Sequence, residues 1–433
     1  MIIDFKVKNY RSFAKEQTLS MVASSNKELK ENYCEVGDFK LLKSAGIYGA
    51  NASGKSNLIR AIKDMRAIIL KSATIEPNTP KPIKPFLLNS KLAKKVTMFE
   101  ITFIHDGIRY QYGFKTGKIT IREEWLIAYP KNRSQIWFQR IYDKRKRKSI
   151  IEFGPSFKGE KQRIKRVTRN DSLFLSTAAQ FGHTALTEIY DWFKVNLIII
   201  NTNDMTSPPK DFIFEQDNKN IVLWNITKTE LTKLLNAADL GIEGIRISPI
   251  DINKYIENLP DDFPEKLRKK IINEWKENPP IQINTIHRMS DTGNEVIFDL
   301  DEDESDGTKR FFDLLGPWLF AIKYNATIIV DEIESSLHPL LSRALIKMIN
   351  DSSRKNGSPQ LIFATHDVTL LSNDLLRRDQ IWFVEKNKIQ ASELTPLLDY
   401  KPRKGEAIFK GYMSGRYHGV PNIKDFAFEK RGK

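Results

Sequence analysis

The sequence predicts an α/β fold with an N-terminal antiparallel β subdomain and an inserted α+β region, and three observations carry that prediction. First, Gly49-Ala50-Asn51-Ala52-Ser53-Gly54-Lys55-Ser56 lies between a strand-like run, Leu41 to Tyr48, and a helix expected from Lys55 to about Leu70. Second, from Glu295 onward the pattern runs strand, loop, helix, strand, helix, strand: EVIFDL, ESDGT, a helix to about Lys323, TIIVDE, a helix near Pro339 to Asn350, and QLIFATH. Alternation of this kind builds an α/β sheet. Third, residues 96 to 128 read as short alternating β runs (VTMFEITFI, RYQYGFKT, ITIREEWLI) punctuated by Asp106-Gly107 and Thr116-Gly117, which is an antiparallel meander. Ile2 to Lys8 alternates in the same way and reads as the first strand.

Composition bounds the rest. The chain has 433 residues, 40% of them hydrophobic, enough apolar material to bury a large core without disulfides. With 69 Lys and Arg against 54 Asp and Glu, the formal charge is +15. A single cysteine, Cys34, excludes an internal disulfide framework and any multi-cysteine metal site. The opening MIIDFKVKNYRSF lacks the apolar stretch of a signal peptide, and no segment approaches the ~20 apolar residues of a membrane span. The expectation is a cytoplasmic protein, soluble or at most peripheral. Leu197 to Ile200 and Ile328 to Val330 are of buried-strand length. The middle, to about Asn294, mixes helices and short strands, with loops at Pro208-Pro209 and Pro279-Pro280, and shows no sustained heptads.

The Gly49 to Ser56 run satisfies G-x-x-x-x-G-K-[ST] between a strand and a helix. Glycines let backbone wrap closely around phosphates, and amide N–H groups at a helix N-terminus offer partial positive charge to an anion. Lys55 would reach the β and γ phosphates and Ser56 would coordinate Mg²⁺, with Gly49, Asn51, Ser53, Gly54 and Asn57 around the same nucleotide. Thr327-Ile328-Ile329-Val330-Asp331-Glu332 is an apolar strand ending in two carboxylates, which must emerge at the strand's C-terminal edge, where α/β sheets place ligands. Asp331 would support the metal shell and Glu332 would act as general base toward the attacking water. A third strand, Leu361 to Ala364, ends in Thr365-His366-Asp367, and His366 there could bond the γ-phosphate or the water.

These motifs, in this order, together with ESSLHP after Glu332, resemble the P-loop NTPases of the ABC-type ATPase head class shared by SMC proteins, the recombination ATPases and the OLD family. IIDFKVKNYRSF at the start and GYMSGRYHGVP near the end are similar to compact bacterial ATPases of the OLD-like group, found in defence systems such as PARIS and Septu. The resemblance spans roughly residues 1 to 125 and 295 to 421. It implies a head whose N-terminal lobe is 1–130 and C-terminal lobe 295–433, with a basic insert at 131–294. It further implies hydrolysis of ATP with Mg²⁺ only when two protomers sandwich the nucleotide, hence a homodimer or higher homo-oligomer. A signature loop must then contact the γ-phosphate held by the other subunit. Glu304-Ser305-Asp306-Gly307-Thr308 stands at the family's position for it, although only Ser305 and Gly307 match the LSGGQ-like form, and Ser305 could instead be an N-cap. Ser335 to Leu337 would face the partner. No Q-loop glutamine is identifiable.

By the same resemblance, the function is that of a nucleotide-dependent switch, the sensor or regulator of an anti-phage system, controlling a separate effector of nuclease or TOPRIM type. Alternatives are a DNA repair or chromosome-maintenance ATPase, for which a long coiled coil would be expected, and a metal-dependent nuclease. The acidic run Asp299, Asp301, Glu302, Asp303, Glu304 and Asp306 could serve the latter but reads better as a solvated loop. The basic tract 140–169, with KRKRK at Lys144 to Lys148 and KQRIKRVTR at Lys161 to Arg169, interleaves Ile150, Phe153 and Phe157. That composition fits electrostatic contact with DNA or RNA, or with an acidic protein partner.

Overall fold

The computed structural model describes residues 1–200, 215–217, 220–222, 228–249, 256, 264–277, 281–351 and 358–420. Two compact units form, one from Met1–Asp204, Ala321–Glu334 and Ser342–Lys433, the other from Met205–Phe320 and Ser335–Leu341.

The first unit holds a small two-stranded sheet and two large ones. One is antiparallel throughout, with seven strands in the order Lys148–Phe153, Gln135–Asp143, Ile121–Tyr129, Ile108–Thr116, Thr97–His105, Ile2–Lys8, Gln17–Ser20. It contains the expected meander and runs on through two further strands beyond Tyr129. The other sheet has six strands in the order Leu197–Ile200, Thr327–Val330, Gln360–Ala364, Ser44–Tyr48, Ile381–Lys386, Ser392–Pro396. The first five are parallel and the last is an antiparallel edge. Strands covered on both faces must be apolar along their whole length. SAGIY, TIIV and QLIFA accordingly are buried at every position.

The run Leu41 to Tyr48 is not one strand. Phe39–Leu42 pairs with Tyr33–Val36, and Ser44–Tyr48 joins the parallel sheet. Between them the buried Lys43 donates to the carbonyl of Asn350 at 2.9 Å, and the chain changes sheet there. Gln360 ties the two large sheets together: its Oε1 accepts from the Ile2 amide at 2.6 Å, and its Nε2 donates to the Ile2 and Leu42 carbonyls at 3.0 Å each. The helix Lys55–Lys71 is amphipathic, and its Leu58, Ile62, Met65 and Ile69 share one core with Phe5, Phe99, Ile47 and Ile362 from both sheets.

In the second unit, Gly244–Pro249, Ile281–Arg288 and Glu295–Asp299 make an antiparallel three-stranded sheet. This corrects the placement of EVIFDL. Its strand has no fully buried residue and pairs antiparallel with Ile281–Arg288, so it is not part of the parallel sheet. Leu197–Ile200, from the middle of the sequence, instead supplies that sheet's outer strand. The helix Asp306–Tyr324 follows. Among the described residues, no helix is long and apolar enough to cross a membrane.

Candidate active site

The strand Ser44–Tyr48 delivers Gly49 into a loop that closes on the first turn of Lys55–Lys71. Both glycines that frame the loop are required. Gly49 has φ 153°, and a Cβ there would lie 2.3 Å from the Val384 carbonyl oxygen. Gly54, at φ 121°, would push a Cβ to 2.3 Å from Ser392 Oγ and 2.8 Å from Ser12 Oγ. Asn51 and Ala52 are exposed at the loop's crest. The Ser53 hydroxyl is buried and, among the described residues, has no hydrogen-bond partner. A backbone cradle that excludes side chains, holding an orphaned hydroxyl and a cation, is a donor set suited to phosphate.

Lys55 is buried and folded back on that loop, donating to Gly49 O at 2.7 Å and Ala50 O at 3.2 Å. Its Nζ also lies 3.4 Å from His366 Nδ1. An ammonium can only donate, so Nδ1 accepts and the ring carries its proton on Nε2. Burial pulls the Lys55 pKa down to about 8, against the opposing pull of Asp331, Glu334 and Glu332. Burial, and then the Lys55 charge, also lower that of His366, which keeps the imidazole neutral at pH 7.

The strand Thr327–Val330 ends in the two expected carboxylates. Ser56 Oγ donates to Asp331 Oδ1 at 3.1 Å. Burial raises the Asp331 pKa, and the Ser56 hydroxyl opposes that rise. Glu332 follows in a left-handed conformation, φ 54°, half-buried. Glu334 was given no role from sequence, yet it accepts from Thr365 Oγ1 at 2.7 Å and from the His366 amide at 2.5 Å. It therefore sets the height of His366 over the loop. Its sequence signal was its place in ESSLHP, two residues after Glu332.

NYRSF braces the loop from the other side. Tyr10 OH donates to Asp64 Oδ2 on the loop's helix at 2.6 Å, and Asn57 Nδ2 is turned to Ser12 Oγ at 2.9 Å. Asn9 Nδ2 donates to the carbonyls of Leu92, Lys95 and Val96, which fixes the turn. The Ser392 hydroxyl donates to the Ser53 carbonyl. Neither Ser12 nor Ser392 stood out in the sequence.

Ser305 and Gly307 belong to the second unit. Ser305 Oγ accepts from Thr308 N at 3.2 Å, so it does cap the helix Asp306–Tyr324. A Cβ on Gly307 would meet the Ser336 carbonyl at 2.9 Å, so the segment after Glu334 packs on that first turn. Glu304 is held by His287 Nε2 at 2.8 Å and Thr285 Oγ1 at 2.5 Å. Much of the acidic run closes on itself. Asp299 Oδ1 accepts from the amides of Asp301 and Glu302, and Asp303 Oδ2 from that of Asp299.

The basic tract forms a hairpin tip and a short helix, Lys161–Val167. Lys144 to Lys148, Arg163 and Arg166 are exposed. Phe157 is buried, stacked on Trp137 at 5.7 Å and His183 at 4.9 Å, and Phe153 packs on Phe174. Those rings serve the core, and Arg140 is buried against Glu124, leaving Lys144 to Lys148, Arg163, Arg166 and Ile150 to face outward.

Three solved structures of low identity are among those similar to the chain. The SMC head bound to the C-terminal winged-helix domain of ScpA is 14% identical over 91% of this chain and 96% of that one, with a TM-score of 0.43. The SMC head domain from Thermotoga maritima is 12% identical over 91% and 98%, with a TM-score of 0.34. The cbiO1 protein of Clostridium perfringens, part of an ABC transporter complex, is 11% identical over 96% and 97%, with a TM-score of 0.30. No curated protein matches the chain. Residues 44–372 match the family described as "AAA domain, putative AbiEii toxin, Type IV TA system", a span that runs from the first residue of the P-loop strand past His366. That span is more than half of the sequence, and the chain belongs to this family of P-loop ATPases.

Proposed function

We propose that the protein binds and hydrolyses ATP between two copies of itself and uses the closed and open states as a switch. The observation that carries this reading is the meeting of Lys55, Ser56, Asp331 and His366 at one edge of the parallel sheet, with Ser56 and Asp331 in direct contact at 3.1 Å. The loop amides and Lys55 receive the phosphates. Mg²⁺ would be held by Ser56 with Asp331 beside it, and when bound supplies charge neutralisation on the transferred phosphoryl group. Glu332 takes the proton of the attacking water. His366, neutral and anchored through Glu334, donates a hydrogen bond from Nε2–H to the γ-phosphate and keeps its proton.

Ser305 and Gly307 of a second copy complete the pocket with a helix N-terminus. ATP contacts both copies only in the closed pair and so favours it. The switch acts in the cytoplasm on a separate effector, of nuclease or TOPRIM type, in anti-phage defence. The toxin–antitoxin wording of the matched family supports such a setting. The exposed cations of 140–169 support contact with DNA or RNA, mainly through phosphates.

The test is turnover of Mg²⁺-ATP as a function of protein concentration, with Lys55→Ala and Glu332→Gln alongside. The expected result is activity that rises more than linearly with concentration, no ATP retained by Lys55→Ala, and ATP retained without turnover in a closed assembly by Glu332→Gln. Normal turnover by Glu332→Gln would remove it as the general base.

A further inference from the structure

The tail motif from Gly411 to Val420 has no part in that reading, yet it ends against the P-loop. After the short helix Ile408–Met413 the chain turns through Gly415 at φ 77°, His418 at φ 58° and Gly419 at φ 70°. A Cβ on Gly419 would sit 3.4 Å from the Gly49 Cα and 3.8 Å from the Val384 carbonyl oxygen. Gly49 faces that same oxygen. Three backbones therefore meet closely, the entrance of the P-loop, the strand Ile381–Lys386 and the tail, with the Tyr412 ring edge 3.6 Å from the same Gly419 position.

The tail is fixed there by aromatic packing. Phe383 stacks on Tyr412, centroids 5.3 Å apart, and on Tyr417, 5.7 Å apart. The Tyr412 ring meets Tyr48, the residue before Gly49, edge-on at 6.5 Å, and its hydroxyl donates to Gly419 O at 3.1 Å. Tyr417 is fully buried, donates to Glu406 at 2.5 Å, and lies so close to the helix that a Cβ on Gly411 would come within 2.6 Å of its ring. Beside this contact is a cleft of about 470 Å³ lined by Ala50 to Ser53 together with Lys386, His418 and Gly419.

We propose that the tail is a clamp on the P-loop. Docked, it holds Gly49 and the turn Ala50 to Ser53 in the shape that receives phosphate, with Tyr417 as the positioning residue. The proposal rests on the reading of this loop as the ATP site. Coupling between two sites is reciprocal, so a docked tail that favours nucleotide requires nucleotide to favour docking by the same factor.

Two experiments on the full chain test it. In wild type, a nonhydrolysable ATP analogue should slow hydrogen exchange of the amides of 411–420 at least severalfold. Tyr417→Ala should raise the KM for ATP roughly tenfold while kcat changes by less than about twofold, and Tyr417→Phe, which keeps the ring, should restore the wild-type KM. Should Tyr417→Ala not fold, Gly419→Val carries the same expectation, and the exchange measurement needs no variant. If wild type binds ATP but exchange at 411–420 is unaltered, or the variants bind ATP as wild type does, the clamp is wrong and the ATP site stands. If wild type binds no ATP, both fall.

Discussion

Ser56, in the first turn of the P-loop helix, donates its hydroxyl to Asp331 at 3.1 Å, although the two residues are 275 positions apart. The bond joins the phosphate-binding loop to the carboxylate at the end of a strand that is not even its neighbour in the sheet. Gln360–Ala364 lies between them. If the two serve one Mg²⁺ ion, as proposed, their removal should not be additive. Titrating Mg²⁺ into the ATP complexes of Ser56→Ala, Asp331→Asn and the double variant should give a coupling of about 1–2 kcal/mol. Additive losses would mean that the two do not serve the same ion.

Lys55 is costly to keep. Its pKa falls from 10.5 in the unfolded chain to about 8 when buried. The protonated form is thus disfavoured by folding, a cost present in full below pH 8 and gone above the unfolded value. Lys55→Met should lose ATP affinity and yet melt about 2 °C higher without nucleotide at pH 7. The gain should shrink as pH rises from 8 toward 10.5, which calorimetry can follow.

The same titration sets the pH profile. ATP affinity should decline as pH rises through about 8, where free Lys55 loses its proton. On the acid side His366 protonates below its ordinary 6.5, because burial and the Lys55 charge both disfavour the imidazolium. The acid limb assigned to this ring should therefore lie below pH 6.5, and His366→Gln should remove it from the kcat/KM profile.

The hairpin tip Lys144 to Arg147 is exposed. The Asp143 carboxylate accepts from the amides of Arg145 and Lys146 and holds its turn. Changing all four cations to Gln should leave melting within about 0.5 kcal/mol of wild type. If the tip lies on a phosphate backbone, the slope of log affinity for duplex DNA or RNA against log salt should fall by roughly 3 or 4. An unchanged slope would take the nucleic acid contact away from this hairpin.

The parallel sheet and its loop were legible because they obey local rules. A strand buried on both faces shows as an apolar run, and the P-loop as glycines at positions where a Cβ has no room. The break at Lys43 was not legible, since a lysine donating to Asn350 O inside the core looks like any lysine in a strand. EVIFDL was given to the wrong sheet because alternation with helices does not name a strand's partner, and Ile281–Arg288 lay in a stretch without a motif. Phe153 and Phe157 looked like companions of the basic tract, but neighbours in sequence on a strand and loop can face opposite ways. Glu334, Ser12 and Ser392 act through hydrogen bonds across long sequence separations, which no spacing reveals.

Trans-complementation tests the two-copy pocket most directly. Lys55→Ala lacks the loop's cation and Ser305→Arg blocks the corner offered to the other copy, so each alone should be inactive. In an equimolar mixture, a mixed pair holds one intact pocket, built from the loop of the Ser305→Arg chain and the serine of the Lys55→Ala chain. The mixture should recover about a quarter of wild-type turnover per chain, since half of random pairs are mixed and each has one working site. A mixture as inactive as its components, with mixed pairs demonstrated by differential tagging, would contradict the account.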